Sequence, residues 1–248
     1  MLQTHGNKIT YLGHATVKIT TPEGSVILID PWVATNPVCP GSHKKLSRVD
    51  VILLTHGHSD HFGDLLDIAK EHEPQVVAIF ETGMWLTKKK VKNVLPMGKG
   101  GTQKVGNIQV TMVHAIHSNS LADGQDLVYG GEPAGFIVQL PGGLRLYHAG
   151  DTCVFGDMKL IGELYKPELA FLPIGGHYTM GPREAAVAVR LIGAPHVVPI
   201  HYATFPQLTG TPEALREATQ DVAGLEIHAL KPGETLGESQ AGKSSAHV

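Results

Sequence analysis

The sequence contains little of what builds disulfide-linked or membrane-spanning proteins. Only two cysteines, Cys39 and Cys153, occur among 248 residues, and their wide separation excludes a disulfide framework. No apolar run approaches the roughly 20 residues of a membrane span, and the first residues lack the charged-then-apolar pattern of a secretory signal peptide. We therefore expect a cytoplasmic protein in a reducing compartment, with no membrane partner.

The chain also lacks an excess of positive charge. Lys and Arg together number 20 and Asp and Glu 23, so the formal net charge is -3. Without a basic excess there is no field to attract nucleic acid or an anionic membrane, and we expect a small-molecule substrate instead. The composition is compatible with a homo-oligomer.

Histidine is what the sequence has in abundance, with 15 residues. Four candidate metal ligands crowd into one short segment: His56, His58, Asp60 and His61. The apolar run just before them, 51–54, predicts a buried strand, so the cluster lies on the loop where that strand ends. Imidazole and carboxylate ligands suit Zn, Mn, Fe or Ni, and the cluster has no Cys for a closed structural zinc site. The cluster predicts a catalytic metal centre, and the alternative is a solvated polar loop.

More ligands must come from elsewhere, since these four are too many for one ion with an open position and too few for two. The candidates that follow apolar strands are His114 or His117, Asp151 and His201. Strand alternation places His114 on the apolar face of its strand, so we favour His117 as the ligand and His114 as a buried or supporting histidine. The alternative for Asp151 is a turn or helix cap, and for His201 a buried, hydrogen-bonded imidazole.

The remaining pattern predicts a single α/β (α+β) domain over residues 1–236. Hairpin-like strands open the chain, and strands alternate with helices in its second half, which favours a pair of mixed sheets covered by helices on their outer faces. The polar segment 118–133 predicts a loop, a candidate lid over the site. The tail at 237–248 is rich in Ser, Gly, Ala and Lys, and we expect it to be disordered.

Individual elements follow from periodicity and from turn residues. The helices are predicted at 64–72, 81–90, 157–165, 182–192 and 212–222. Pro182 is a natural first residue for the fourth of these helices and Gly193 a natural stop. A strand is predicted at 91–95, and the segment 104–114 is strongly β in character.

These motifs together resemble the signature of the metallo-β-lactamase superfamily. The resemblance is carried, in this order, by Thr55–His61, His117, Gly150–Thr152 and His201, and it covers essentially the whole chain. Four further segments resemble a small subfamily of metal-dependent hydrolases akin to ascorbate-phosphate lactonases: 11–15, 30–31, 147–152 and 173–180. The resemblance implies a four-layer αββα sandwich that holds two divalent metal ions, with Zn favoured and Mn, Fe or Ni served by the same ligand types.

The resemblance also implies how the ligands divide: His56, His58 and His117 on one ion, Asp60, His61 and His201 on the other, with Asp151 bridging. Two such cations lower the pKa of a bridging water, so that hydroxide exists at neutral pH, and they polarise the substrate oxygen. Asp60 can orient that hydroxide or accept its proton. Asp30 resembles an aspartate that hydrogen-bonds within the ligand shell, and its alternative role is to start a turn before Pro31.

The function expected from these motifs is hydrolysis of a small ester, lactone or phosphodiester by a metal-bridged hydroxide. His14 and His148 are predicted to bind substrate, and His177 to protonate the leaving group or to bind a substrate phosphate. Two alternatives come from other classes of protein. One is a regulatory module that binds metal without turnover, and the other is a single-strand nuclease, which the missing basic surface disfavours.

Overall fold

The computed structural model of the protein describes residues 1–236. The tail at 237–248, for which disorder is predicted, lies outside the described residues. The strands in chain order are β1 (Lys8–Gly13), β2 (Thr16–Thr20), β3 (Val26–Ile29), β4 (Val51–Leu53), β5 (Gln75–Ile79), β6 (Val94–Met97), β7 (Thr102–Val105), β8 (Ile108–His114), β9 (Ser120–Asp123), β10 (Asp126–Tyr129), β11 (Ala134–Gln139), β12 (Arg145–His148), β13 (Leu169–Pro173), β14 (His196–Ile200), β15 (Glu226–Ile227) and β16 (Thr235–Leu236). The α-helices are α1 (Ser59–Phe62), α2 (Leu65–His72), α3 (Phe80–Lys88), α4 (Met158–Tyr165), α5 (Pro182–Ile192) and α6 (Pro212–Ala218).

The strands form two seven-stranded sheets and one separate hairpin. The order is β16-β1-β2-β3-β4-β5-β6 in the first sheet and β15-β14-β13-β12-β11-β8-β7 in the second. In each sheet one half is antiparallel and the other parallel: β3 to β6 run parallel in the first sheet, as do β12 to β15 in the second. β9 and β10 pair only with each other.

Strand alternation divides the apolar side chains into three cores. Ile29 and Leu53 of the first sheet and Phe171 of the second belong to the core between the sheets. Their neighbours point outward, so Ile52 packs with residues of α2 and α3, and Leu172 packs with residues of α4, α5 and α6. Because each sheet buries both faces, it needs a helical layer on its outer side. The predicted four-layer αββα sandwich is confirmed.

The structure corrects three predictions about local elements. The segment 118–133 is not a loop throughout, because it contains the β9–β10 hairpin. The β segment predicted at 104–114 is not one continuous strand. β7 ends at Val105, the chain turns at Gly106 with a φ of 56°, and β8 begins at Ile108 and pairs antiparallel with β7. The predicted strand at 91–95 lies later, at Val94–Met97.

The helices of the described part of the chain are short. None of those in residues 1–236 combines the length and the apolar character needed to cross a membrane.

Candidate metal centre

The predicted ligands come together at one edge of the sandwich, on segments that follow four strands. Two of them, Asp60 and His61, lie in the short helix α1 rather than on the predicted loop. His56–His61 follows β4, His117 follows β8, Asp151 follows β12 and His201 follows β14. In the second sheet, β8 and β12 both run antiparallel to β11, while β14 runs parallel to β12 through β13. These three strands therefore end at the same edge, and the sheet pairing rather than sequence proximity assembles the centre.

The first group of ligands consists of His56, His58 and His117, whose candidate ligand atoms lie within 4.8 Å of one another. His56 Nε2 is 3.0 Å from His58 Nδ1, while His56 Nδ1 faces the Thr55 hydroxyl at 3.0 Å. Because the Thr55 hydroxyl donates to Asp30 Oδ2, it accepts from His56 Nδ1–H, so the lone pair of His56 lies on Nε2, which faces His58. Burial lowers the pKa of each of the three imidazoles, so their nitrogen lone pairs are available at neutral pH.

Gly57 between the two histidines allows the hairpin to approach this loop. A Cβ at Gly57 would lie 2.5 Å from Leu121 Cδ2 and 2.8 Å from the Ser120 carbonyl oxygen. The Gly57 amide donates to Asn119 Oδ1 at 2.8 Å, and Asn119 Nδ2 in turn donates to the Gly130 carbonyl at 2.8 Å. Asn119 thus ties the ligand loop to both ends of the hairpin.

The second group contains Asp60, His61 and His201, and the structure adds His14 to it, again with ligand atoms within 4.8 Å. His201 is fully buried and holds its backbone in the left-handed region at a φ of 56°. Its amide donates to the His14 carbonyl at 2.7 Å, which fixes this backbone conformation. Such conformations are costly for a residue with a side chain and cluster at functional sites.

Asp151 lies between the two groups. Its Oδ1 is 3.2 Å from His61 Nε2, and its Oδ2 is 3.0 Å from His201 Nε2 and 3.5 Å from His117 Nε2. The side chain is only 2% exposed. Burial would raise the pKa of Asp151, but the nearby His201 and His61 outweigh it and hold this pKa well below its ordinary value. Asp151 is therefore a buried carboxylate anion that faces both groups.

Several buried polar atoms at this centre have no hydrogen-bond partner: Asp151 Oδ1, His61 Nε2, His201 Nδ1, His201 Nε2 and His14 Nδ1. Leaving such atoms unsatisfied is costly, and a divalent cation among Asp151 Oδ1, His61 Nε2 and His201 Nε2 would satisfy three of them. Burial lowers the pKa of His61, yet the charges of Asp151 and Asp30 raise it well above its ordinary value, so the surroundings favour positive charge here. The residues fit divalent metal ions bound by nitrogen and oxygen.

Asp30 fixes the orientation of His61. Asp30 Oδ2 accepts from His61 Nδ1 and from the Thr55 hydroxyl, both at 2.7 Å, and Asp30 Oδ1 accepts from the Thr55 amide at 2.8 Å. The side chain is fully buried. Because Nδ1 of His61 is occupied in this way, Nε2 is the atom that faces the centre.

His14 contacts Asp60 rather than the open cleft. Its Nε2 lies 3.0 Å from Asp60 Oδ2, and its side chain is completely buried. Burial lowers the pKa of His14 to about 4, although the hydrogen bond to Asp60 opposes the shift. A neutral imidazole therefore donates Nε2–H to the carboxylate. The predicted contact of His14 with substrate is corrected to a contact with Asp60.

His148 is a structural residue. It is fully buried, its Nε2 donates to the Ala15 carbonyl at 2.9 Å, and its Nδ1 accepts from the Gly150 amide at 3.2 Å. Both ring nitrogens are occupied and no surface is exposed, so the prediction that His148 binds substrate is wrong. Its bonds join the β1–β2 turn to the loop that carries Asp151.

Two further histidines for which the sequence predicts a role, His177 and His114, lie outside the centre. His177 is exposed and packs its ring on Tyr178 at 4.5 Å, and Tyr178, not His177, lines the cleft. The catalytic role predicted for His177 therefore has no geometric support. His114 is exposed rather than buried and lies 2.9 Å from the Lys99 amine, which corrects the prediction of a core or supporting histidine.

An apolar cleft of about 1010 Å³ opens above the centre. Its floor includes His58, Asp60, His117, Asp151 and His201. Its walls carry the large side chains of Trp32, Phe62, Trp85, Leu121, Leu127, Tyr178 and Phe205. Within residues 1–236, neither Lys nor Arg lines this cleft. Sequence reasoning missed the walls, although the position of Trp32 just after the Asp30-Pro31 motif was an available signal.

Known proteins resemble the chain over most of its length. The family model for the β-lactamase superfamily domain matches residues 25–202. A UPF0173 metal-dependent hydrolase from Koribacter versatilis is 54% identical, over 94% of this chain and 99% of the relative. Another from Rubrobacter xylanophilus is 51% identical, over 94% and 97%. The solved structure of a metallo hydrolase from the hyperthermophilic archaeon Ignicoccus hospitalis is 34% identical, covers 93% of this chain and 97% of its own, and has a TM-score of 0.82.

Proposed function

This chain belongs to the metallo-β-lactamase superfamily, and we propose that it is a metal-dependent hydrolase whose centre binds two divalent metal ions. The observation that carries the proposal is the position of Asp151, whose two carboxylate oxygens face both groups of ligands. In this proposal His56, His58 and His117 hold one ion, Asp60, His61 and His201 hold the other, and Asp151 is shared. The names of the relatives, metal-dependent hydrolases, support the same reaction type.

Two such ions, when bound, would activate water at neutral pH and would polarise the substrate carbonyl whose carbon the water attacks. The protein contributes the proton transfer. Asp60 lies on the cleft floor with its side chain 24% exposed, so it can accept the proton of the attacking water and return it to the leaving group. Burial would raise the pKa of Asp60, but the hydrogen bond from His14 and the charge of His61 outweigh it and keep Asp60 ionised. His14 thus keeps Asp60 oriented and charged.

The cleft walls favour a neutral ester or lactone with an apolar group over a phosphodiester. Covering about 100 Å² of apolar substrate surface contributes about 2.5 kcal/mol to binding. A phosphodiester carries a negative charge, and no Lys or Arg side chain of the described cleft walls compensates for the loss of its hydration. This desolvation cost offsets the attraction of the phosphodiester to the metal ions. The same absence argues against a single-strand nuclease, which needs basic residues along the nucleic-acid backbone.

The test compares metal-stripped and metal-reloaded protein on matched substrates. p-Nitrophenyl esters of increasing acyl length, a panel of lactones and bis-p-nitrophenyl phosphate cover the three classes. We expect turnover only after Zn or Mn is restored, with kcat/KM that rises with acyl length and exceeds the value for the phosphodiester. Metal-loaded protein without turnover on any substrate would favour a binding module and overturn the proposal, and faster turnover of the phosphodiester would overturn the substrate preference.

A further inference from the structure

A separate group of potential ligands lies at the far end of β14 from the central cluster. His196 begins β14, and His201 follows its last residue. Five residue steps along the extended strand separate the two histidines by about 16 Å. At this end, His196, Glu226 and His228 place one ligand atom each within 4.8 Å of one another.

The sheet pairing puts these three side chains on one face. β14 and β15 pair in parallel, with His196 opposite Glu226. His228 is two residues beyond Glu226, so strand alternation turns it to the same side. The backbone supports this arrangement, because the Glu226 amide donates to the Pro195 carbonyl at 2.9 Å and the His228 amide to the Val197 carbonyl at 2.8 Å.

The distances match the edges of a metal tetrahedron. His196 Nδ1 is 3.1 Å from His228 Nε2, and Glu226 Oε2 is 3.4 Å from His196 Nδ1 and 3.8 Å from His228 Nε2. Ligand bonds of 2.0 to 2.1 Å in a tetrahedral zinc site give ligand–ligand distances of about 3.3 Å. The other oxygen of Glu226 faces the amino group of Met1 at 3.3 Å, which holds the carboxylate in place.

The charge state of the group also suits a metal ion. Burial lowers the pKa of both His196 and His228, so each imidazole is neutral and has a lone pair to offer. The bond to the amino terminus lowers the pKa of Glu226, which is therefore an anion. The exposed fractions are 9% for His196, 21% for His228 and 49% for Glu226, so an ion can enter and water can complete its coordination.

We propose that His196, Glu226 and His228 form an additional metal site, distinct from the central cluster, for a zinc-like divalent ion. Two imidazoles and one carboxylate are ligands that Zn, Co and Ni prefer, and they disfavour Mg and Ca. The ion replaces the contact between two facing imidazole nitrogens and cross-links β14 to β15 at the edge of the second sheet.

The test is zinc content after equilibrium dialysis of the full-length protein, measured by mass spectrometry. His228→Gln removes one ligand while keeping a polar side chain, and we expect it to bind one zinc ion fewer than wild type. The zinc affinity of this site should fall by at least about 100-fold in the variant. Loss of a residue that only hydrogen-bonds to a metal ligand already lowers metal affinity about 10- to 100-fold, and His228 is itself a proposed ligand. Ester hydrolysis should be unchanged. The difference between the two proteins does not depend on how many ions the central cluster holds.

The matched control is His72→Gln. His72 lies 4.0 Å from Glu71 but belongs to no three-ligand group among residues 1–236, so its replacement should leave the zinc content unchanged. Equal zinc content in wild type and His228→Gln, or an equal loss in His72→Gln, would overturn the proposal. If His228→Gln fails to fold, zinc-edge anomalous scattering from wild-type crystals decides, because a peak must lie about 2.0 to 2.1 Å from His196 Nδ1 and His228 Nε2. The absence of that peak at saturating zinc would contradict the proposal.

Discussion

At the scale of single residues, the centre depends on side chains that orient others. His14 is a positioning residue: its ring is buried against Asp60 and has no surface in the cleft. We predict that His14→Ala lowers kcat about 10- to 100-fold with little change in KM, because Asp60 loses the bond that orients it. His14→Gln, which keeps a donor, should recover much of that loss.

Kinetics on the preferred ester, together with the metal content of each variant, checks this prediction. A packing role alone would lower the stability of both variants and leave kcat unchanged. Wild-type kcat in folded His14→Ala would contradict the positioning role.

Asp30 has the corresponding role for His61. In Asp30→Asn, one of the two acceptor oxygens becomes an NH₂ group, so the bonds to His61 Nδ1 and to Thr55 cannot all persist. We expect metal affinity to fall about 10- to 100-fold. Competition with a chromophoric chelator measures the change, and unchanged affinity would show that the bond from Asp30 to His61 does not set the geometry of the ligand.

At the scale of elements, the β9–β10 hairpin forms one wall of the cleft. Leu127 lines the cleft but is 78% exposed, so it contributes little to the core. We predict that Leu127→Ser raises KM for long-chain esters several-fold without changing kcat for short ones or the free energy of unfolding. The physical reason is the loss of apolar contact area, worth about 25 cal/mol per Å².

Leu164→Ser is the control for this element. Leu164 is 71% exposed on α4 and does not line the cleft, so its replacement removes a comparable side chain elsewhere. The hairpin has no part in substrate binding if the two variants give the same KM on every ester.

The elements differ in how well local sequence predicts them. α5 is predicted to the residue, at 182–192, because Pro182 opens it and Gly193 closes it with a φ of 68°. The sequence predicts a loop here because the strands of the hairpin are only four residues long and the segment 118–133 is rich in Ser, Asn, Asp and Gly. Its position depends on distant contacts, such as the bond from the Trp85 indole to Asp123 at 3.1 Å, and local patterns do not contain such contacts.

At the scale of the whole molecule, the ligands were recognisable in the sequence because their residue types follow strands in a familiar order. Their division between two ions follows from the resemblance and stays a prediction, which the short distances from Asp151 to His61, His201 and His117 support. The directions of His148 and His177 were not predictable, since a motif does not state which way a side chain points. The apolar cleft escaped prediction for a related reason: Trp32, Trp85 and Phe205 come from separate loops and elements.

The buried, unpaired polar atoms of the centre imply that metal ions stabilise the entire fold. A ligand present at about 1,000 times its Kd stabilises the folded state by about 4 kcal/mol. In a domain of this size that corresponds to a Tm shift of about 10 °C. We therefore expect removal of metal by a chelator to lower Tm by about this amount, and re-addition of zinc to restore it. Identical melting curves for stripped and reloaded protein would contradict this expectation.

The most direct test of the dinuclear centre is the metal content of Asp151→Ala, measured in a His228→Gln background so that only the central site is counted. Asp151 is expected to serve both ions, so the variant should retain fewer than one ion per chain, against two in the parent. The exposed Asp67→Ala is the control and should retain both. Two ions per chain in Asp151→Ala would contradict the shared role of this carboxylate, and with it the proposed dinuclear centre.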